Sequence, residues 1–124
     1  MIKRIFLVLL AVLVLSGCGS SRGSFSTYDK KANACYYADK FNGRKTANGE
    51  TFSNSKLTAA HKKLPFGTKV RVTNTANNKS VIVTINDRGP FSGGFDIDLT
   101  KKAFMEITDN KNHGRLKVML EVAK

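Results

Sequence analysis

The stretch Lys69-Val70-Arg71-Val72-Thr73-Asn74, followed after Thr75–Lys79 by Ser80-Val81-Ile82-Val83-Thr84-Ile85-Asn86, decides the fold class. In the first segment Val70 and Val72 share one face, against Arg71 and Thr73 on the other. The second is rich in β-branched residues, with Val81, Val83 and Ile85 on one face and Ile82 and Thr84 opposite. This period of two predicts a pair of strands, and Asn77-Asn78 between them suits a hairpin turn. Downstream, Phe95–Leu99 alternates Phe95, Ile97 and Leu99 against Asp96 and Asp98, and Leu116, Val118, Leu120 and Val122 alternate through a last strand. Thr100 is placed to cap a short helix over Lys101–Ile107, with Ala103, Phe104 and Ile107 as its apolar stripe. Upstream, Ala59-Ala60 reads as a half-buried strand leading into His61. Many short strands with one or two brief helices predict a mainly β protein built as a small barrel.

Composition bounds the rest. A chain of 124 residues, 41% of them apolar, forms one compact domain with a core of its own. Its two cysteines exclude a disulfide-dense scaffold and a four-cysteine zinc module. With 21 basic residues against 9 acidic, the net charge is +12 and attraction to a polyanion is expected: nucleic acid, anionic lipid or an acidic wall polymer.

The N-terminus selects among these. Lys3 and Arg4 precede Ile5–Leu15, eleven residues without a polar side chain. A mature membrane-spanning helix needs about 20 such residues, so the run reads as an export signal. Leu15-Ser16-Gly17-Cys18 resembles the lipobox of bacterial lipoproteins, in which cleavage precedes a cysteine that is then lipidated. The resemblance implies a signal peptide over 1–17, a lipidated Cys18 at the head of a flexible tether over 18–33, and a domain over 34–124. Export leaves no nucleic-acid partner and points to a monomer in the cell envelope, extracytoplasmic and membrane-bound through its lipid. Gly19, where retention in an inner membrane would call for Asp, leans towards an outer membrane. Cys35 is then a single thiol, expected to be a small buried residue.

Three stretches carry chemistry: Phe41–Phe52, Leu57–Thr68, and Asn86-Asp87-Arg88-Gly89-Pro90-Phe91 running on to Asp98. Asp87 ends an apolar strand before a Gly-Pro turn, which aims its carboxyl at a barrel rim, where partial burial raises a pKa and prepares a general acid. The same position also suits a turn cap or a pair with Arg88. Glu50 follows the turn signal Asn48-Gly49 and is compatible with simple solvation. A lone histidine such as His61 serves as a hydrogen-bonded structural residue as readily as a catalyst. His61, His113 and the scattered carboxylates lack the spacing of a zinc site, so neither metal nor cofactor is expected.

These stretches resemble the double-psi β-barrel domain of the rare lipoprotein A family, which includes septal and endolytic peptidoglycan lytic transglycosylases. The pieces that carry the resemblance are Ala34-Cys35-Tyr36-Tyr37, Gly43–Phe52, Leu57–Thr68, Asn86–Phe91 and Ile97–Thr100, in family order. The resemblance implies a six-stranded barrel, with Asp87 as the essential acid and Glu50 and His61 as further catalytic residues. Asp98, Arg88 and Lys45 become candidate contacts for the glycan strand. It also implies cleavage of the β-1,4 bond between N-acetylmuramic acid and N-acetylglucosamine by attack of the muramyl 6-hydroxyl, leaving a 1,6-anhydro end. The nucleophile belongs to the substrate, so one acid/base carboxyl suffices where a hydrolase uses two. The alternative is a non-catalytic wall-binding or wall-loosening lipoprotein on the same barrel. Cys35 departs from the family's usual Ser, and no SPOR repeat follows the barrel, so septal targeting is not expected.

Overall fold

The computed structural model describes residues 24–124. The expected signal peptide, Cys18 and the first part of the expected tether lie outside the described residues. Six strands close into a barrel: β1 (Phe25–Tyr36), β2 (Thr58–His61), β3 (Lys69–Asn74), β4 (Ser80–Asp87), β5 (Ile97–Leu99) and β6 (Leu116–Ala123), in the spatial order β1-β5-β2-β4-β3-β6. The β1/β5 and β2/β4 pairs are parallel and the other four antiparallel, so the expected six-stranded barrel is a mixed one. One α-helix, α1 (Lys101–Ile107), and a 3-10 turn at Asp39–Phe41 complete it.

The strands expected at Lys69–Asn74, Ser80–Asn86 and through Leu116–Val122 form, and the one expected over Phe95–Leu99 is shortened to Ile97–Leu99. β3 and β4 pair in register from Lys69↔Thr84 to Thr73↔Ser80, and Asn78 takes the left-handed conformation (φ 63°) that their turn demands. Val70, Val72, Val81, Val83, Ile85, Val118 and Leu120 are buried in the barrel core. Complete burial of a residue of this size contributes roughly 1.5–3 kcal/mol. The Thr100 side chain accepts from the Ala103 N–H and caps α1, whose Ala103, Phe104 and Ile107 are fully buried. Asn74 ties the helix end to the barrel, donating from Nδ2 to the Ile107 carbonyl at 2.8 Å.

Residues 25–33, expected as tether, belong to β1. Phe25 pairs with Ala123, and the Arg71 guanidinium lies 4.5 Å from the Phe25 ring while also pairing with Glu121 at 2.9 Å. Against β6, β1 carries an extra residue between Thr27 and Asp29 and another between Asp29 and Ala32. Each extra residue switches the side-chain face, which erases the alternation and leaves a polar run that reads as linker.

Candidate functional site

The site grows from a single row of side chains. Register pairs Cys35 with Asp98, Asp98 with Ala60, and Ala60 with Asp87, so one face of four neighbouring strands carries the row. Asp87 joins it through a bulge. Ile85 pairs with Ala59 and Asp87 with the very next residue, Ala60, so β4 holds one extra residue there. Strict alternation from buried Ile85 would have sent Asp87 to the same side; the bulge re-aims it outward. Ala60, 1% exposed, separates the two aspartates with only a methyl group.

The segment 43–52 folds over the end of β4. Lys45 and Thr51 bridge, Gly43 N–H donates to the Phe52 carbonyl at 2.9 Å, and the turn closes through Gly49 at φ +94°, a conformation that favours glycine. The turn brings the Ala47 N–H to Asp87 Oδ1 at 2.8 Å; the Arg88 N–H reaches the same oxygen at 2.9 Å, and the Tyr37 hydroxyl donates to Oδ2 at 2.6 Å. Three donors therefore fix one carboxylate. Burial, and then the hydrogen bond to Asp87, pushes the Tyr37 hydroxyl far above the ordinary tyrosine range, which keeps it a donor.

Asp98 is treated in the opposite way. Its Oδ1 is buried and has no hydrogen-bond partner among the described residues. Burial foremost, with the charge of Asp87 adding to it, pushes its pKa up to about 6. The Cys35 thiol beside it donates to the Ile97 carbonyl at 3.8 Å and is pushed up to about 12 by burial and the Asp98 charge, so it is an unreactive neighbour. Asp87 and Asp98 line a cleft of about 480 Å³ together with Lys45 and Arg88, with the 79% exposed Phe91 at its edge.

The other expected residues lie around this cleft. Glu50 accepts from Asn86 Nδ2 at 3.0 Å and lines an adjoining polar groove of about 560 Å³ with Lys56, Thr58 and Thr84. Its hydrogen bonds, that from Asn86 first, hold its carboxyl below the usual range, so it is an anion at neutral pH. His61 sits apart, 6% exposed beside a third hollow with Tyr28, Asp29 and Asp96. Arg88 spends Nη1 on the carbonyls of His61 (3.2 Å) and Leu64 (2.8 Å), with its guanidinium 4.1 Å from the Phe66 ring. Four of the six expected residues thus share one cleft; Glu50 reaches it through Asn86, and His61 through Arg88.

Tyr37 and Asn54 have roles that the sequence reading did not assign. The pair Tyr36-Tyr37 at a strand end was the available signal for the first, since one ring must face the core and the other must not. Asn54, 8% exposed, donates to the Tyr37 carbonyl and Asp39 Oδ1 and accepts from the Lys101 N–H, binding the cleft wall to the start of α1. Within Ser53-Asn54-Ser55 it looks like any loop residue. Among the described residues no cluster of three or more His, Cys, Asp or Glu side chains could hold a metal ion.

Comparison with known proteins adds a second line of observation. The family model described as lytic transglycolase matches residues 22–120. The chain is 60% identical over 70 residues to a probable endolytic peptidoglycan transglycosylase RlpA of a Synechocystis strain, covering 56% of this chain and 22% of that protein. Identity to the Treponema pallidum protein of the same description is 50% over 90 residues, 73% of this chain and 28% of the relative. With an endolytic peptidoglycan transglycosylase RlpA of Rickettsia felis it is 48% over 101 residues, 79% of this chain and 44% of the relative. The chain therefore spans less than half the length of each. Among solved structures, a Streptomyces papain inhibitor superposes with TM-score 0.62 at 20% identity, covering 78% of this chain and 96% of the inhibitor. A Clavibacter michiganensis expansin in complex with cellohexaose superposes with TM-score 0.59 at 16% identity, covering 78% of this chain and 50% of the expansin. At those identities the likeness is one of fold.

Proposed function

Because this chain belongs to the lytic transglycolase family and is similar in sequence to RlpA proteins, we propose that it is a cell-envelope lytic transglycosylase. Its substrate is the peptidoglycan glycan strand, and its reaction centre is the cleft between Asp87 and Asp98. The observation that carries this reading is the pairing of two carboxyls with opposite surroundings on one row, three donors on Asp87 against none on the buried oxygen of Asp98. Neighbouring carboxyls whose environments differ in this way take different roles, one handling the proton and the other stabilising developing charge.

In this mechanism Asp98, raised to about 6, carries the proton. It protonates the bridging oxygen as the bond from muramyl C1 breaks and the ring gains oxocarbenium character. The charge of Asp87, held in a fixed orientation, stabilises that positive centre. The Asp98 carboxylate then takes the proton from the muramyl 6-hydroxyl as its oxygen bonds to C1. The anhydro bond closes without water, and Asp98 ends as it began. The buried, unpartnered oxygen of Asp98 favours this division of labour. Glu50, anionic in the adjoining groove, and Lys45 at the cleft wall orient the strand on either side. Cys18 supplies the lipid anchor that keeps the basic barrel close to the wall polymer.

The test is digestion of purified sacculi by the full chain in detergent, with products read by mass spectrometry. Anhydromuropeptides are expected from the wild type. Asp98→Asn should lose activity by about 10²–10⁴-fold, the usual range for removing an acid or base, and Asp87→Asn by about 10²–10³-fold, as for removing a group that stabilises transition-state charge. The rate should fall as pH rises through about 6, where Asp98 loses its proton. Sacculi that bind the protein yet stay intact would overturn the enzyme in favour of a wall binder. Full activity in Asp98→Asn beside a dead Asp87→Asn would return the proton to Asp87. For the anchor, Cys18→Ala should release the protein from membranes or block its processing; unchanged processing and fractionation would refute it.

A further inference from the structure

His61 is the one expected catalytic residue outside the cleft, and its hydrogen bonds give it a different task. Its Nδ1 accepts from two backbone donors of the following turn, the Lys63 N–H at 3.0 Å and the Leu64 N–H at 3.1 Å. A nitrogen that accepts twice carries no proton, so the ring is the Nε2–H tautomer. The turn so closed presents the two carbonyls, of His61 and Leu64, that hold Arg88 Nη1 at 3.2 and 2.8 Å. Phe66 lies 4.1 Å from the same guanidinium and completes the clamp. Arg88 in turn gives its backbone N–H to Asp87 Oδ1 at 2.9 Å. An unbroken series of contacts runs from the imidazole to the carboxylate.

We propose that His61 is a positioning residue: its Nδ1 sets the 61–64 turn, the turn clamps Arg88, and Arg88 holds Asp87 in the orientation the cleft requires. The proposal rests on the reading of that cleft as the reaction centre. It assigns His61 no proton transfer and no contact with the glycan. The surroundings agree with a ring that stays neutral. Burial foremost and then the charge of Arg88 lower its pKa, with Lys62 acting in the same direction, while Asp96 and Asp29 oppose them. Tyr28 packs edge-on against the ring with centroids 5.4 Å apart.

The substitution that separates the alternatives is His61→Asn. An asparagine Oδ1 can occupy the place of Nδ1 and accept the same two N–H groups, but it cannot transfer a proton at neutral pH. His61→Asn should keep sacculus digestion within about threefold of wild type with an unchanged pH profile, whereas His61→Ala should lose about tenfold or more, as expected for stranding buried donors. Arg88→Ala should match His61→Ala, and the double variant should lose little beyond either alone, because the residues act in series. A general acid or base would instead make His61→Asn as poor as His61→Ala, by about 10²–10⁴-fold, and would remove a limb of the profile. Nitrogen NMR of the full chain in detergent reads the same proposal without activity. The His61 ring should show a bare Nδ1 and a protonated Nε2, and the restrained Arg88 guanidinium signals should survive in His61→Asn and vanish in His61→Ala. A proton on Nδ1, or Arg88 signals indifferent to His61→Ala, overturns the proposal. A wild type without anhydro products, beside the expected spectra, would overturn only the function of the cleft.

Discussion

The wall made of β3, β4 and β6 and the wall made of β1, β5 and β2 bury the same core with different side chains. The first does it with branched aliphatics: Val70, Val72, Val81, Val83, Val118 and Leu120. Its outer surface is ordinary, with Arg71 and Glu121 paired across strands. The second contributes Ala32, Ala34 and Ala59 beside Ile97 and Leu99, and leaves volume for Tyr36 and Phe104, whose rings lie 4.7 Å apart. On its other face it carries the row Cys35, Asp98, Ala60 that β4 extends to Asp87. One wall supplies cohesion, and the other gives up some of it to hold two carboxyls over a methyl group.

Substitutions in the two walls should therefore part company. Leu120→Ala, fully buried in the first wall, is expected to cost about 3 kcal/mol in chemical denaturation while leaving activity per folded molecule unchanged. An activity loss larger than the loss of folded protein would show that the walls are not separable.

Asp98→Asn should have the opposite signature. The folded-state pKa lies at about 6, above the ordinary 3.8, so between these values the folded chain binds more protons than the unfolded one. Stability from this group is present below the unfolded value and is lost as pH rises through about 6. At pH 8 the asparagine variant should therefore be more stable than wild type, by about 1–2 kcal/mol, and below pH 3.8 the gain should disappear. Melting temperatures across that range check it; a variant less stable at pH 8 would refute the strained state of this carboxyl. A residue that weakens the fold while serving the proposed reaction is the usual bargain at functional sites.

The smallest effect belongs to the first wall's outer surface. Arg71→Ala should cost at most about 1 kcal/mol, part of it screened by salt, since the Arg71 side chain is 37% exposed. A larger loss would mean that its stacking on Phe25 matters more than the ion pair, and Phe25→Ala would then reproduce it.

The difference between the walls also explains what the sequence disclosed. β3, α1 and β6 were legible because each keeps one period along its length and a turn or cap residue marks its end, and β4 because its period holds as far as the bulge before Asp87. β1 was not, because its two extra residues break the period over Thr27–Ala32. The expected strand over Phe95–Leu99 shrinks to Ile97–Leu99 although the alternation runs on, because side chains take the place of the ladder there: the Asn33 N–H donates to Asp96 Oδ2 at 2.8 Å and Lys62 Nζ to the Phe95 carbonyl at 3.2 Å. At the site, Asp87 could be placed at a strand end, but the bulge that chooses its face depends on its pairing with Ala60. The hydrogen bonds from Asn86 to Glu50 and from Tyr37 to Asp87 join residues 36 and 50 positions apart. Local spacing holds no trace of such pairs, and motif resemblance named most of the residues without revealing which of them meet.

The tyrosines have a consequence of a practical kind. The chain contains no Trp and three Tyr, so its intrinsic fluorescence comes from Tyr28, Tyr36 and Tyr37 alone. Each reports on a different place: Tyr28 lies against His61, Tyr36 against Phe104 in the core, and Tyr37 donates its hydroxyl to Asp87. A phenol hydrogen-bonded to a carboxylate emits weakly, so occupancy of the cleft that disturbs this bond should brighten the protein. The barrel thus carries an optical gauge of its own, readable without a label.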